Sequence, residues 1–358
     1  MQLMIVDSYR KKKALQAYCG FDWRIVVCAG QICDLPTYSL GIAEPDFKPR
    51  YELLENATPF MKSLNQLAAT ADHVWLAMES NREGEILARH LAQHLIADSI
   101  KRIVFIDITK DGMTTALNNP RKIDQQLCDA WTARRVIDRL IGYKVSEQLT
   151  QMFQKPVAVG RVQSIALKLI VKRERVLRAF MGKNPTYLNN EPLLASEEQL
   201  RTNTLKRFDE LSLIAALEQE SVGCSRTLIP ILNILEHYNY VVKQNAFLHP
   251  TPFAEKLIDL LEGKFKFLDL SYTRDLEIAL HDISVGKQTY FSIVNKVNDD
   301  LQKGLGLLRD MSSVSALCPR CQAPIKRLRD EYGYFMACSR YQEGCTGSPS
   351  DTPPLECA

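Results

Sequence analysis

Over residues 1–110, short apolar runs alternate with stretches in which apolar positions recur every three to four residues. Residues 3–6, 24–28, 74–77 and 102–106 read as buried strands, with helices over 10–18 and 84–96 between them. Such alternation predicts an α/β layer around a parallel sheet. The segment 30–49, punctuated by Gly and Pro, reads as a long loop leaving that sheet. From 111 to 180 the strands stop. A helix there sets Trp131, Ile137, Leu140 and Ile141 on one face with Arg134, Arg135 and Arg139 beside them, and a second helix is expected over 162–178. Residues 181–204, rich in Asn, Pro, Gly and Ser, read as a linker. Helical patterning resumes from 210 to about 305, with Leu211, Ile214, Ala215 and Leu217 in register and turns at Gly223 and Pro250. A joint after Arg309 leads into a cysteine-bearing module.

The chain has 358 residues, 46% hydrophobic and 24% charged, enough apolar material for two or three domains. No run of about 18 apolar residues occurs, and the sequence reaches Asp7 without a signal peptide's positive flank or cleavage site. Neither a membrane span nor secretion is expected. The net charge is only +3, but residues 101–180 hold 16 Lys/Arg against 7 Asp/Glu. Clustered positive charge neutralises phosphates and releases counterions, which points to a polyanion partner; a solvated helical face is the plainer alternative.

Ten cysteines without a secretory signal argue against a disulfide framework. Four of them, Cys318, Cys321, Cys338 and Cys345, form a C-x2-C pair and a wider pair that follows a hairpin strand at Gly333-Tyr334-Phe335. Four thiolates suit tetrahedral Zn²⁺, and so small a module folds chiefly around its metal. Cys357 is an alternative ligand. Nearby, Arg320, Lys326, Arg327, Arg329 and Arg340 lie among Tyr332, Tyr334, Phe335 and Tyr341. Such a mixture suits the phosphates and base faces of a single strand, or, for the aromatics, the core around the metal. Cys19, Cys28, Cys33, Cys128 and Cys224 have no ligand spacing and read as small buried hydrophobes. His90 and His94 can share a metal across one helical turn, though packing is the plainer reading.

Glu79-Ser80-Asn81-Arg82-Glu83-Gly84-Glu85 falls where a buried strand gives way to a helix, the sheet edge at which open α/β folds hold ligands. With Asp7 at the end of the first strand, these oxygen donors suit Mg²⁺. Acids at a helix N-terminus also stabilise its dipole without a metal.

Taken in order, Met4-Ile5-Val6-Asp7-Ser8, the Ala29–Pro36 run and Ala77-Met78-Glu79-Ser80-Asn81-Arg82-Glu83-Gly84-Glu85 resemble the Toprim domain of type IA DNA topoisomerases. Asp107-Ile108-Thr109-Lys110, the Ala133–Tyr143 run with its three arginines, Val159-Gly160-Arg161-Val162-Gln163-Ser164 and Arg173-Glu174-Arg175 continue the resemblance. Beyond the linker it passes through Arg207–Leu213, Val222–Thr227, Leu248-His249-Pro250-Thr251 and Tyr272–Glu277. The resemblance implies an α/β Toprim domain with a Rossmann-like parallel sheet over 1–110, and a mostly α-helical DNA-binding domain split between 111–180 and 205–305. A small β zinc ribbon over 310–358 completes it. It further implies Mg²⁺ at Asp7, Glu79, Asn81 and Glu83, and a DNA-facing set of Arg134, Arg135, Arg139, Arg161, Gln163 and Arg226. Single-stranded DNA is the partner it implies, with a cytoplasmic, nucleoid-associated location.

Two departures from the family are specific to this chain. Family members carry the attacking tyrosine in Tyr-x-Arg-Thr-Asp-Ser, within a long arch between the Arg-Glu-Arg helix and the segment matching Arg207–Leu213; here the 181–204 linker stands in that place. Tyr187 lacks the following Arg-Thr-Asp-Ser, and Tyr272-Thr273-Arg274-Asp275 has flanks that match a different segment. The metal acids are also altered, with Asn81 where the family has Asp, Glu79 where it has Asp, and Asp7 where it has Glu. An amide for a carboxylate removes a full charge, which weakens Mg²⁺ binding. The expectation is a homologue that binds single-stranded DNA without strand passage. The alternatives are an active topoisomerase or a Mg²⁺-dependent Toprim nuclease, using a nonstandard nucleophile or a partner.

Overall fold

Leu3, Met4, Ile5 and Val6 are completely buried, and they form the inner strand of a four-stranded sheet. In this computed structural model, the residues described are 1–181, 206–220, 222, 225–313, 318, 320, 321, 323, 325–330, 333–338 and 340–345. β1 (Gln2–Val6) pairs in parallel with β2 (Trp23–Val27) and β3 (His73–Leu76), and β3 with β4 (Ile100–Arg102), in the order β2-β1-β3-β4. Side chains alternate across a strand, so Leu3 and Ile5 join Val74 and Leu76 on one face, while Met4 and Val6 join Ile25 and Trp75 on the other. Helices α2 (Thr58–Ala68) and α3 (Arg82–His94) cover the first face through Met61, Leu64, Leu87 and Leu91. Helices α1 (Tyr9–Gln16) and α4 (Lys110–Asn118) cover the second through Leu15, Met113 and Ala116. Covering both faces explains the unbroken apolar runs of the strands. Each large side chain so buried contributes about 1.5–3 kcal/mol.

The fourth strand ends at Arg102, earlier than the expected 102–106. Arg102 is 3% exposed and turns into an ion pair with Glu85 at 2.6 Å, and the chain then leaves the sheet until Ile106 is fully exposed. The 30–49 segment is not simply loop. Cys33–Asp34 pairs with Glu52–Leu53, and Ile42–Ala43 with Lys48–Pro49.

A second core is helical. Helix α5 (Gln125–Phe153) starts where the Asp124 carboxylate accepts the Leu127 N–H and stops where Gln154 turns left-handed, at φ 52°. It is followed by α6 (Arg161–Met181), α7 (Glu210–Gln219) and α8 (Ser225–His237), then by α9 (Pro252–Leu261), α10 (Leu270–Ser284) and α11 (Tyr290–Ser313). Ile137, Leu140 and Ile141 of α5 pack in this core with Ile170, Leu257, Leu280 and Val294, as their helical face predicts, whereas Trp131 is half-buried.

Two expectations here are corrected. The stretch 210–305 is not helical throughout, because β5 (Val241–Gln244) and β6 (Phe247–Pro250) form an antiparallel hairpin. Asn245 and Ala246, both at positive φ, make its two-residue turn. In α7 the buried positions are Leu213 and Leu217, while Leu211 is 79% exposed. That helix is apolar at 211 and at 213–217, so its periodicity does not select a face. No helix among the described residues is long and apolar enough to cross a membrane.

Candidate nucleic-acid interface

Asp7 and Glu79 meet at the C-terminal edge of the sheet, just beyond β1 and β3. Asp7 Oδ2 accepts the Glu79 backbone N–H and the Lys11 ammonium, both at 2.9 Å. Its Oδ1 is buried with no partner among the described residues. Asn81 caps α3, its Oδ1 accepting the Gly84 N–H at 2.8 Å while its amide donates to Glu79 Oε2 at 2.8 Å. Only glycine fits at 84, because an added Cβ runs into the Glu79 carbonyl. The Glu83 side chain is exposed, and its carbonyl accepts from Gln31 at 3.3 Å.

These donors fit a divalent ion only in part. The unpartnered Asp7 oxygen and the exposed Glu79 carboxylate suit Mg²⁺, which commonly takes one or two carboxylates and completes its shell with water and phosphate. The Asn81 oxygen is already committed to the helix cap. Among the described residues, only the four cysteines gather three or more such donors closely enough to hold a metal ion.

The roles of two residues at this edge escape a reading of sequence alone. Lys11 lies one helical turn after Asp7, and that spacing was the available signal. Glu85 is completely buried, with Arg102 and Arg121 on one oxygen and the Asp124 N–H on the other at 2.9 Å. It holds the sheet edge to the start of α5, a pairing over separations that no local spacing reveals.

The arginines of α5 and α6 have protein partners. Arg135 closes bidentately on Asp34, and Arg139 donates to the carbonyls of Pro36 at 2.9 Å, Leu35 at 3.3 Å and Ser39 at 3.5 Å. Arg161 is 3% exposed and bonds Asp138 Oδ1 at 2.9 Å, and Gln163 is buried on the Ala158 carbonyl at 2.9 Å. Arg134 is partly open, its side chain 40% exposed with Glu277 at 3.3 Å. Arg226 lies in the first turn of α8, and its side chain is outside the described residues.

Of the two tyrosines raised by the sequence, only Tyr272 lies among the described residues. Tyr272 is half-buried, and burial pushes its phenol up to about 12 despite the lowering influence of Arg161. Tyr187 lies outside the described residues. His90 packs between Tyr51 and Trp131, and His94 bonds the His90 carbonyl at 2.9 Å, in accord with packing. Cys28, Cys33 and Cys128 are buried as expected and Cys19 is half-buried; Cys224 lies outside the described residues.

In the terminal module β7 (Ile325–Asp330) and β8 (Gly333–Cys338) pair antiparallel and carry Cys338 toward the C-x2-C turn. The four sulfurs lie within 4.8 Å of one another, and none is in a disulfide. Burial works against ionisation of Cys318, but the backbone N–H groups of Cys321 and Arg320 bring its thiol down to about 7. The cluster can hold a metal ion. Cys357 and the side chains of 324–337 lie outside the described residues.

Comparison with known proteins decides the family. A family model described as "Toprim domain" matches residues 2–108, and one described as "DNA topoisomerase" matches 122–191 and 184–295. The chain belongs to the type IA DNA topoisomerase family. The two pieces of the second match meet at 184–191, inside the 181–204 linker. This topoisomerase homologue is 42% identical over 184 residues to "DNA topoisomerase I, plasmid" of Xylella fastidiosa (strain 9a5c), covering 51% of this chain and 28% of that relative. It therefore spans well under half of that relative's length. The solved full-length topoisomerase I of Thermotoga maritima has a TM-score of 0.66 and 18% identity, with 97% of each chain covered, which is a likeness of fold.

Proposed function

We propose that this topoisomerase homologue grips single-stranded DNA and does not pass strands. The observation that carries this reading is the family match in two pieces that meet inside the linker, where the tyrosine-bearing arch is expected. The high pKa of Tyr272 adds support, since a phenol held near 12 offers little phenolate at neutral pH. On this reading residues 1–110 form the Toprim domain, 111–180 and 205–305 the helical domain, and 310–358 the ribbon. The protein works in the cytoplasm at the nucleoid.

The Toprim edge and α5 then receive phosphates. Asp7 and Glu79 would hold Mg²⁺, with Glu83 one turn on, and the ion supplies charge neutralisation at a phosphodiester. Lys11 holds Asp7 in place and presents its own positive charge at the same edge. Arg135 and Arg139 fix the 34–39 loop against α5, so their role is to shape the groove, while Arg134 offers its open guanidinium to the strand. Arg161 and Gln163 set the start of α6 from within, and Arg226 adds charge from α8. Cys318, Cys321, Cys338 and Cys345 would hold Zn²⁺.

A supercoiled plasmid incubated with the protein and Mg²⁺ tests the absence of strand passage. The expected result is a retarded but unrelaxed plasmid. Relaxation that disappears in Tyr187→Phe or Tyr272→Phe overturns the reading, and nicking that survives both but is lost in Glu79→Ala identifies a nuclease.

A further inference from the structure

One carboxylate, Glu277 of α10, sits between guanidiniums from two other helices. Its Oε2 takes Arg82 Nη2 at 3.1 Å and its Oε1 takes Arg134 Nη1 at 3.3 Å. Arg82 opens α3 directly after the Asn81 cap, and Arg134 lies on the exposed side of α5, so the carboxylate spans the seam between the sheet edge and the helical core. One arginine on each oxygen is the arrangement that the two non-bridging oxygens of a phosphodiester also accept.

The donors here outnumber the acceptors. Arg82 Nη1 is buried with no partner among the described residues, and so is Nη1 of Arg161. Arg161 is almost wholly withdrawn from solvent and pairs with Asp138 through its other nitrogens. Burial opposes its charge, but Asp138 and, beyond it, Glu277 hold its guanidinium above the ordinary value. Two guanidiniums thus share Glu277, and one of them, Arg82, keeps a buried N–H unused. An unsatisfied buried donor costs free energy, and a phosphodiester, whose two non-bridging oxygens each accept more than one hydrogen bond, removes that cost. Glu277 is about one-third exposed, so its side chain can swing to water without opening the core.

We propose that Arg82 and Arg134 form a phosphodiester site and that Glu277 fills it in the free protein as a displaceable stand-in, setting how tightly a strand is held. This inference rests on the DNA-binding reading above and adds a gate to it. An incoming phosphate expels the carboxylate, pairs with Arg82 and Arg134, and offers an oxygen to the spare Arg82 donor. Glu277 therefore lowers affinity while it keeps the two arginines aligned.

The test measures binding of a labelled single-stranded oligonucleotide across a salt series by the wild-type chain, Glu277→Gln and Glu210→Gln. Glu210 pairs with Lys243 on α7 and β5 and serves as a remote control for loss of one negative charge. Glu277→Gln is expected to bind about ten-fold more tightly at low salt, the gain shrinking as salt rises, with Glu210→Gln within about two-fold of wild type. Adding Arg82→Gln to Glu277→Gln is expected to cancel the gain. Thermal melting of each variant shows that it is folded. If wild type binds and Glu277→Gln is no tighter than Glu210→Gln, the gate is overturned while DNA binding stands. If neither wild type nor Glu277→Gln binds, the DNA-binding reading fails and the gate with it. Binding by Glu277→Gln alone is the strongest support.

Discussion

Arg135 closes on Asp34 with two hydrogen bonds, Nε to Oδ1 at 2.7 Å and Nη2 to Oδ2 at 2.6 Å. The pair fastens the Cys33–Asp34 strand, and with it the loop that follows, to α5. Burial works to raise the Asp34 pKa, but the Arg135 hydrogen bond and charge outweigh it and hold the carboxyl below its usual range. A depressed folded pKa contributes stability at pH above the unfolded value, about 4, and that contribution is lost as pH falls through the folded value. Asp34→Asn should therefore lose about 1–2 kcal/mol at neutral pH, a modest figure because both side chains are about one-third exposed. Urea melts at pH 7 and pH 3 check this, and the gap between variant and wild type should narrow at the lower pH.

Glu85 is expected to be far more sensitive. Removing its carboxylate leaves Arg102 buried without its ion-pair partner, and breaking such a pair costs about 3–5 kcal/mol. Chemical denaturation of Glu85→Ala should show a loss of that size. A change under about 1 kcal/mol would mean that the pair does not hold the sheet edge.

His90 gives a second pH signature of opposite chemical origin. Burial, with smaller contributions from Arg89 and His94, lowers its pKa to about 4. The folded protein keeps the imidazole neutral, so stability is full above the unfolded value of about 6.5 and falls as pH drops toward 4, by on the order of 3 kcal/mol. His90→Phe, set among Tyr51 and Trp131, should flatten this part of the stability curve. An unchanged slope between those two values would contradict the assignment.

The cysteine cluster predicts a local dependence on metal. A strong chelator, or Cys318→Ser, should make the 318–345 module sensitive to protease while the thermal transition of 1–313 stays within about 2 °C, because the module has its own small core. One metal equivalent per chain and a tetrahedral thiolate spectrum on cobalt substitution would identify the site.

The sheet was legible where burial is two-sided. Leu3-Met4-Ile5-Val6 is apolar at every position because both faces are covered, and nothing else in the sequence competes with that signal. The fourth strand was misplaced because Val104 and Phe105 extend the apolar run, while the pairing of Arg102 with Glu85 decides where the strand ends. The 241–250 hairpin was hidden for a related reason, since its strands are four residues each and its turn is Asn245-Ala246 with no glycine. At the candidate site the acids were legible from their place at the strand ends. Lys11, one turn after Asp7, had that spacing as its signal, whereas Asp34 and Glu277 meet their arginines through contacts between elements that local spacing does not encode.

The most direct test of the account is a single reaction of the protein, Mg²⁺ and an end-labelled single-stranded oligonucleotide, divided between a native and a denaturing gel. The account predicts a shifted complex on the native gel that weakens steeply with added salt, and only free, intact oligonucleotide on the denaturing gel. A labelled species of protein mobility that survives denaturation would show a covalent tyrosine link and contradict it.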